Sequence, residues 1–596
     1  MGGGLYRSAN AMPDGSEPPA DGVPLVSAQT HDEPMVETTS PAPEGTASGG
    51  AAITGTGADG AASTGSAAGN SAIMAIGSLV SRGTGFLRTL TITAALGSII
   101  GDAYTTAQIF PGMVYEFLLG GILTSVLVPV LVRRRKADAD GGEAYTQRLL
   151  TLSVLALGIA AVLAVITAPW LTLLVTDATT TAAKRELIVQ LSWLMLPMLF
   201  FTGISALLAA VLNTRGHFAA PMWTPILNNL VVISTFGLYI VIFGTKLVDP
   251  EDMTPGRILL IGGGTLLGVM IQAAALFPAL RKVGFRWRWR GQFHTLGLRE
   301  LGRLGGWMFC YVAVSQLGLI VLFRLANAAG DQEQPGPLIY NNVYLLMMMA
   351  HGIIAVSIIT ALMPRMSAAA ADGRFSDLTA DLARGTRTVT AVLAPIGVAY
   401  AVLAQPISVT LFRWGAFKAE DALATSLVLL VAGMALIPFA ISQLFTFAFY
   451  ALPDTRTPAL INIPVVALRV LVQVGLFAAF AAEYTASGLM LGNGISYVAA
   501  AVVSAWLLRG RVGRIGLGGI AVTFGKVIVA ALGAALVGLV VVKLLPGGTP
   551  PSRLESIVQL IVGGGAIGVT YVVLAMVLKL REISEVVGMV RRKLGR

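Results

Sequence analysis

The sequence predicts an all-α polytopic membrane protein with about fourteen transmembrane helices, and three observations predict it. The 596 residues are 55% hydrophobic and only 12% charged, against roughly 25% charged in a soluble globular chain. Apolar runs near or above the ~20 residues needed to cross a bilayer recur along the chain, and mean hydropathy is +0.76. Basic residues gather in alternate loops, as they do when one side of a membrane protein faces the cytoplasm.

Residues 1–70 stand apart. They are rich in Gly, Ala, Ser, Thr and Pro, and they hold eight acids against one arginine. Such a segment buries too little apolar surface to offset its ordering entropy, so it is expected to be a disordered acidic tail, solvated or used for regulatory docking. A basic region followed by an apolar stretch is lacking, which argues against a cleaved signal peptide. Taking the tail's −7 from the chain's +10 leaves +17 for the rest. That excess lies beside the membrane, within reach of anionic headgroups.

The predicted spans are 71–97, 103–132, 147–175, 187–213, 218–244, 257–281, 301–328, 338–366, 383–411, 422–450, 457–481, 486–508, 520–545 and 556–580. Internal Pro and Gly are tolerated where neighbours satisfy the freed backbone groups. Arg133 to Lys136 follow span 2, and Arg281, Lys282, Arg286, Arg288, Arg290, Arg299 and Arg303 lie between spans 6 and 7. Arg509, Arg511 and Arg514 follow span 12, and Arg591 to Lys593 with Arg596 close the chain. All fall on one side of a fourteen-span count, so both termini are expected in the cytoplasm. The long basic loop divides the spans into an N-terminal bundle (71–284), a linker (285–300) and a C-terminal bundle (301–510). Spans 13 and 14 (511–582) are an addition, and 583–596 form a basic tail.

Ionisable groups inside spans are costly and usually face a cavity. Span 1 carries Arg82 and Arg88 in Ser81-Arg82-Gly83-Thr84-Gly85-Phe86-Leu87-Arg88. Six residues separate the arginines by ~120° and ~9 Å. Unwinding at Gly83 and Gly85 would turn both inward. A guanidinium fork suits phosphate oxygens, and snorkelling to the interface is the bland alternative, which fits Arg82 better than the deeper Arg88. Asp102 opens span 2 as a helix cap, as a partner of an arginine or as part of an outer gate. Glu116 is expected to pair with Arg88 or to titrate during transport, or to be a structural pair alone. Arg324 either snorkels outward or lines a cavity. Arg469, among Val465, Val466, Leu468 and Val470, lies too deep to snorkel and is expected to face protein. For Asn228, Asn229, Asn341 and Asn342, interhelical hydrogen bonding is the default and sugar or peptide recognition the sharper reading.

The remaining features are bland. Met347-Met348-Met349 is soft packing surface. Arg286-Trp287-Arg288-Trp289-Arg290 suits a headgroup interface rather than nucleic acid. The single cysteine, Cys310, excludes an internal disulfide and Cys-based clusters, and the four histidines show no metal spacing. No cofactor, metal or covalent chemistry is expected.

At these residues the chain resembles the MurJ/MviN family of lipid II flippases. The matches are Ser81-Arg82-x-x-Gly85-Phe86-x-Arg88 with Gly97 and Asp102-Ala103, and Pro111 through Gly121 to Val128-Pro129. Further on come Leu212-Asn213-Thr214 with Phe218, Pro221, Pro225 and Asn228, then Ser315-Gln316 and Leu411-Phe412-x-x-Gly415-x-Phe417. The last is Phe449-Tyr450 with Asp454 to Pro458. Their order and spacing carry the resemblance from about residue 70 to 460. It implies the fold of the multidrug and polysaccharide-lipid exporter superfamily (MOP, MATE-like), a cationic cavity and alternating access. It also implies that spans 13 and 14 form a groove for the prenyl tail. The implied substrate is the undecaprenyl-diphosphate-linked disaccharide-pentapeptide, with membrane lipids and cell-wall synthesis proteins as further partners. Arg82, Arg88 and Asp102 match functional charges of the family. Other charges are missing: Tyr115 and Glu116 stand at basic positions, and Tyr344, Leu345 and Met348 replace a charged stretch of span 8. Arg324 or Arg469 are candidates to compensate. The Ala/Gly/Arg-rich composition points to an actinobacterial member. The alternatives are another exporter of the superfamily, a drug/cation antiporter, a polyprenyl-phosphate glycosyltransferase (whose paired acids are not found) and a non-transporting scaffold.

Overall fold

Fourteen apolar segments become helices here, but the first two are fused. The computed structural model describes residues 64–120, 128–296, 298–548, 551–585 and 588, all within one compact unit, Thr38–Arg596. The expectations for the acidic tail up to residue 63 and for Arg591 to Arg596 lie outside the described residues. Residues 64–70, assigned by sequence to that tail, are already helical.

Helix α1 (Thr64–Tyr115) contains both span 1 and span 2, broken at Gly97 with φ +67° and ψ −166°. A π-helical turn, Glu116–Gly120, extends it. Then follow α2 (Val128–Ala137), α3 (Glu143–Val175), α4 (Ala182–Met195), α5 (Met198–Thr214) and α6 (Ala219–Phe243). The sixth span, Pro255–Lys282, is built from α7 (Pro255–Ile258), α8 (Gly264–Ala274) and α9 (Leu276–Lys282) around a π-helical turn. The second half comprises α10 (Leu298–Gly330), α11 (Pro337–Ala371), α12 (Phe375–Val402), α13 (Ala404–Phe412), α14 (Ala419–Ala451), α15 (Arg456–Ala479) and α16 (Thr485–Val512). The last pair is α17 (Leu517–Leu544) and α18 (Arg553–Val577). Thirteen helical segments among the described residues are long and apolar enough to cross a membrane. The 44-residue first one is too long for a single ~20-residue crossing, and its break at Gly97 makes two.

Helices α1 to α9 pack into one lobe, and α10 to α16 into the other. The α17–α18 pair lies against the second lobe, on α12 and α13. Tyr571 donates to the Ala391 carbonyl at 2.7 Å, and Arg387 pairs with Glu582 at 3.0 Å. Long aliphatic side chains of the pair, such as Leu532, Leu536 and Ile561, remain exposed, as lipid contact requires.

The loops sort into two ends. At the basic end Arg135 donates to the Thr214 carbonyl and Arg215 to that of Val283. Gln147 donates to the Arg286 carbonyl at 2.7 Å, and Arg511 pairs with Asp454. At the far end Ala416 N–H donates to the Ala94 carbonyl at 2.8 Å, and Arg413 donates to that of Pro551 at 2.8 Å. Lys184 there meets Asp331. Loops after even-numbered spans therefore meet one another, as do loops after odd-numbered spans, which is the alternation that fourteen crossings require. The 285–296 linker is not a loose hinge. Phe285 is buried, and the Trp287 indole and Arg290 N–H both donate to Thr151 Oγ1. Trp289 stacks on Trp287 and stays exposed.

Gly97 is needed for the turn at the far end. Its backbone lies where essentially only glycine goes, and a Cβ there would stand 2.9 Å from the Ala416 carbonyl oxygen and 2.8 Å from Leu247. Gly97→Ala is therefore expected to cost at least ~1–3 kcal/mol. Thermal unfolding of the detergent-solubilised protein checks this, and an unchanged midpoint would contradict it.

Candidate transport site between the lobes

Span 1 brings its two arginines to different partners. Gly83 and Gly85 stay helical, contrary to the unwinding expected from the sequence. Gly85 packs against the Asn229 amide, and the Asn229 Nδ2 donates to Thr84 Oγ1 and the Ser81 carbonyl. These bonds tie α6 to α1 and hold the helix straight, so the break falls at Gly97 instead. Arg82 then crosses to the second lobe, where its guanidinium fills the space a Cβ at Gly352 of α11 would need. Arg88 stays in the first lobe, within electrostatic reach of Tyr104. Its Nε is buried without a hydrogen-bond partner. Tyr104 is fixed by Thr265 at 2.9 Å and by an edge contact with Phe236.

Glu116 does not meet Arg88. Counted from Gly97 at 1.5 Å per residue, Arg88 lies ~13 Å along its limb and Glu116 ~28 Å along the other. The carboxylate is therefore nearer the level of Arg82, at ~22 Å. The expected Arg88–Glu116 pair fails on depth.

Asp102 is buried at 3% exposure. Its Oδ1 accepts the Leu338 N–H at 2.8 Å. Leu338 lies in the first turn of α11, so this carboxylate of the first lobe caps a helix of the second. The carboxylate fits there because Gly330 and Gly336 offer no side chain against it. An arginine partner, one of the expected roles, is not what Asp102 has; it belongs to a seal. Around it Asn342 donates to Thr93 Oγ1 at 3.0 Å, and Thr106 donates to Asn327 Oδ1 at 3.0 Å. Asn327 donates in turn to the Val175 carbonyl at 3.1 Å. Lys184 and Asp331 complete the seal at 2.6 Å, with side chains 6% and 2% exposed. Sequence reasoning missed this pair because each residue reads as loop polarity.

Arg324 is exposed at the same end. Its Nη1 donates to the Leu173 and Leu174 carbonyls at 3.3 and 3.5 Å, in the last turn of α3. A cation there satisfies orphan carbonyls and the helix dipole.

Arg469 does face protein, inside the second lobe. Gly318 of α10 leaves the space its guanidinium fills. Nε and Nη2 are buried without hydrogen-bond partners. Toward the basic end the lobes also touch through Phe117 and Phe309, with ring centroids 4.7 Å apart.

Two helical lobes, joined by polar bonds at one end and holding under-satisfied arginines in their spans, have the build of a membrane transporter. A family model described as lipid II flippase MurJ matches residues 92–552. The chain belongs to the lipid II flippase MurJ family, whose members are transporters rather than enzymes. Arg82 and Arg88 lie just before the matched segment.

Among curated relatives, the lipid II flippase MurJ of Burkholderia cenocepacia is 26% identical over 65% of this chain and 74% of its own. The probable lipid II flippase MurJ of Synechocystis is 26% identical over 78% of this chain and 86% of its own. Among solved structures, a lipid II flippase MurJ in an inward closed conformation superposes with a TM-score of 0.66, at 17% identity, over 85% of this chain and 99% of that one. An inward-facing MATE multidrug transporter of the MOP superfamily superposes at 0.60, with 15% identity, over 72% of this chain and 94% of that one. These likenesses establish the MATE-like fold.

Proposed function

We propose that this protein flips lipid II across the cell membrane by alternating access, from the leaflet beside its basic loops to the opposite one. The observation that carries the reading is a pair of arginines in span 1, Arg82 reaching the second lobe at Gly352 and Arg88 buried with an unpartnered Nε. A desolvated guanidinium without a partner costs free energy unless a ligand supplies acceptors. A diphosphate supplies them bidentately. Alternate loop charge orients the chain with the basic end and both termini in the cytoplasm. The seal around Asp102 then faces outward, and this state is outward-closed. Loading of the headgroup between the lobes and release of that seal complete the passage. The membrane potential contributes about 2.3 kcal/mol per charge per 100 mV to any net charge moved.

The test is depletion of the protein in cells without a redundant flippase, with lipid II exposure on the outer leaflet as the readout. Exposure is expected to fall while cytoplasmic-leaflet lipid II accumulates. Unchanged exposure would remove the reading.

A further inference from the structure

One face of α15 is polar although the helix is an apolar span. Asn462, Arg469 and Gln473 recur at seven and four residues, which places them on one stripe. The stripe turns into the second lobe. Asn462 donates to Ser315 Oγ at 2.8 Å and to the Tyr311 carbonyl at 3.0 Å, both on α10. Gln473 donates to the Leu489 carbonyl at 2.9 Å and to Asn493 Oδ1 at 3.2 Å, both on α16. Asn493 is hydrogen-bonded in turn to Tyr340 of α11.

Between these satisfied amides lies Arg469. Its guanidinium acts electrostatically on Tyr311, Tyr340 and Tyr497, from α10, α11 and α16. Two of its nitrogens are buried without an acceptor. Among the described residues no carboxylate forms an ion pair with it. The Gln473 Oε1 and the Tyr450 hydroxyl, in the same lobe, are also buried without partners. The Nε–H and Nη2–H groups of Arg469 are donors, so acceptor oxygens are what the guanidinium itself lacks. Glycine at 318 keeps the place open, since any Cβ there would displace the guanidinium.

Depth supports a role shared between the lobes. Arg469 lies ten residues before Ala479, where α15 ends at the far side, and Arg88 lies nine residues before the break at Gly97. At 1.5 Å per residue both are ~13–15 Å below that end. The two lobes thus each hold an under-satisfied arginine at about one level.

We propose that Arg469 is the anchor of a second oxyanion-binding site, in the C-terminal lobe, which takes a carboxylate or phosphate group of the transported headgroup. The proposal rests on the flippase reading. A headgroup gripped by Arg88 in one lobe and Arg469 in the other links them directly, so loading the substrate draws the lobes together.

The test measures binding of two lipids to the full-length purified protein in nanodiscs: lipid II, and undecaprenyl diphosphate, which has the diphosphate but no glycopeptide. Arg469→Gln is expected to weaken lipid II binding about 10–100-fold, the range for a lost charge-assisted contact. Undecaprenyl diphosphate affinity unchanged by the substitution assigns the site to a glycopeptide carboxylate, and equal weakening of both lipids assigns it to the diphosphate. Gly318→Ala keeps the charge and displaces it, so it is expected to weaken lipid II binding as well and serves if Arg469→Gln does not fold. Wild-type protein that binds neither lipid would overturn the flippase reading. Wild-type binding that neither substitution alters would overturn the Arg469 assignment alone.

Discussion

Lys184→Met is expected to unseat the far-end seal and shift the protein toward the state open at that end. Lys184 and Asp331 join α4 of the first lobe to the end of α10 in the second, at 2.6 Å and almost wholly buried. Thr180 adds a hydrogen bond to the other carboxylate oxygen at 2.5 Å. Removing one partner of a buried pair leaves an uncompensated charge and costs about 3–5 kcal/mol. The opened state solvates that charge, so the cost falls on the closed state alone. At 1.4 kcal/mol per tenfold, the equilibrium moves by roughly 100- to 4,000-fold. The double substitution Lys184→Met with Asp331→Leu removes both charges and should restore most of the closed population. A cysteine at Ala329, buried at the same end of α10 and carrying no side-chain bond of the seal, reports the change on a Cys310→Ser background. Its labelling by a membrane-impermeant maleimide should rise in Lys184→Met and fall again in the double variant. Labelling of Lys184→Met at the wild-type rate would show that the pair does not hold the gate.

That gate was only partly legible in the sequence, and the reason is physical. Hydropathy and loop charge are summed over about twenty residues at a time, so the spans and their alternation survive errors at any one position. A seal depends on single residues that meet from distant segments. Lys184 and Asp331 are 147 positions apart, and each stands in or beside a short loop where a charge needs no explanation. Asp102 reads as the cap of its own span, but it lies inside α1 and caps instead a helix that begins 235 residues later, at Pro337. Depth was legible and decisive where it was counted. It separates Glu116 from Arg88, and it kept Arg469 from the interface. Glycine was the least legible. Gly83 and Gly85 lie beside two arginines and stay helical, whereas Gly97, next to no charge, carries the break. The difference lies in tertiary neighbours: Asn229 of α6 braces the first pair, and Ala416 crowds the last. The polar stripe of α15 could have been read from Asn462, Arg469 and Gln473 by helical period alone. Its partners on α10 and α16 could not.

Arg82→Gln and Arg88→Gln are each expected to slow lipid II flipping by about 10–100-fold in proteoliposomes, the loss of a charge-assisted contact with the diphosphate. Arg88→Lys should recover only part of the rate, because an ammonium keeps the charge without the planar fork. The thermal midpoint separates this from a structural role. Arg88 makes no hydrogen bond through its buried Nε, so its removal should leave the midpoint unchanged or raise it, while transport falls. A drop in stability matched by normal flipping of the surviving fraction would make Arg88 a structural residue. The double variant carries the stronger inference. Arg82 reaches Gly352 of the second lobe, whereas Arg88 lies within electrostatic reach of Tyr104 in the first. If they grip separate groups of the substrate, their losses add within about 0.5 kcal/mol, as independent sites do. If both close on one diphosphate, removing the first already releases the second, and the double variant should be little worse than either single one. A coupling of about 0.5–3 kcal/mol would therefore mean that Arg82 withdraws from α11 on loading, which frees the second lobe to move against the first.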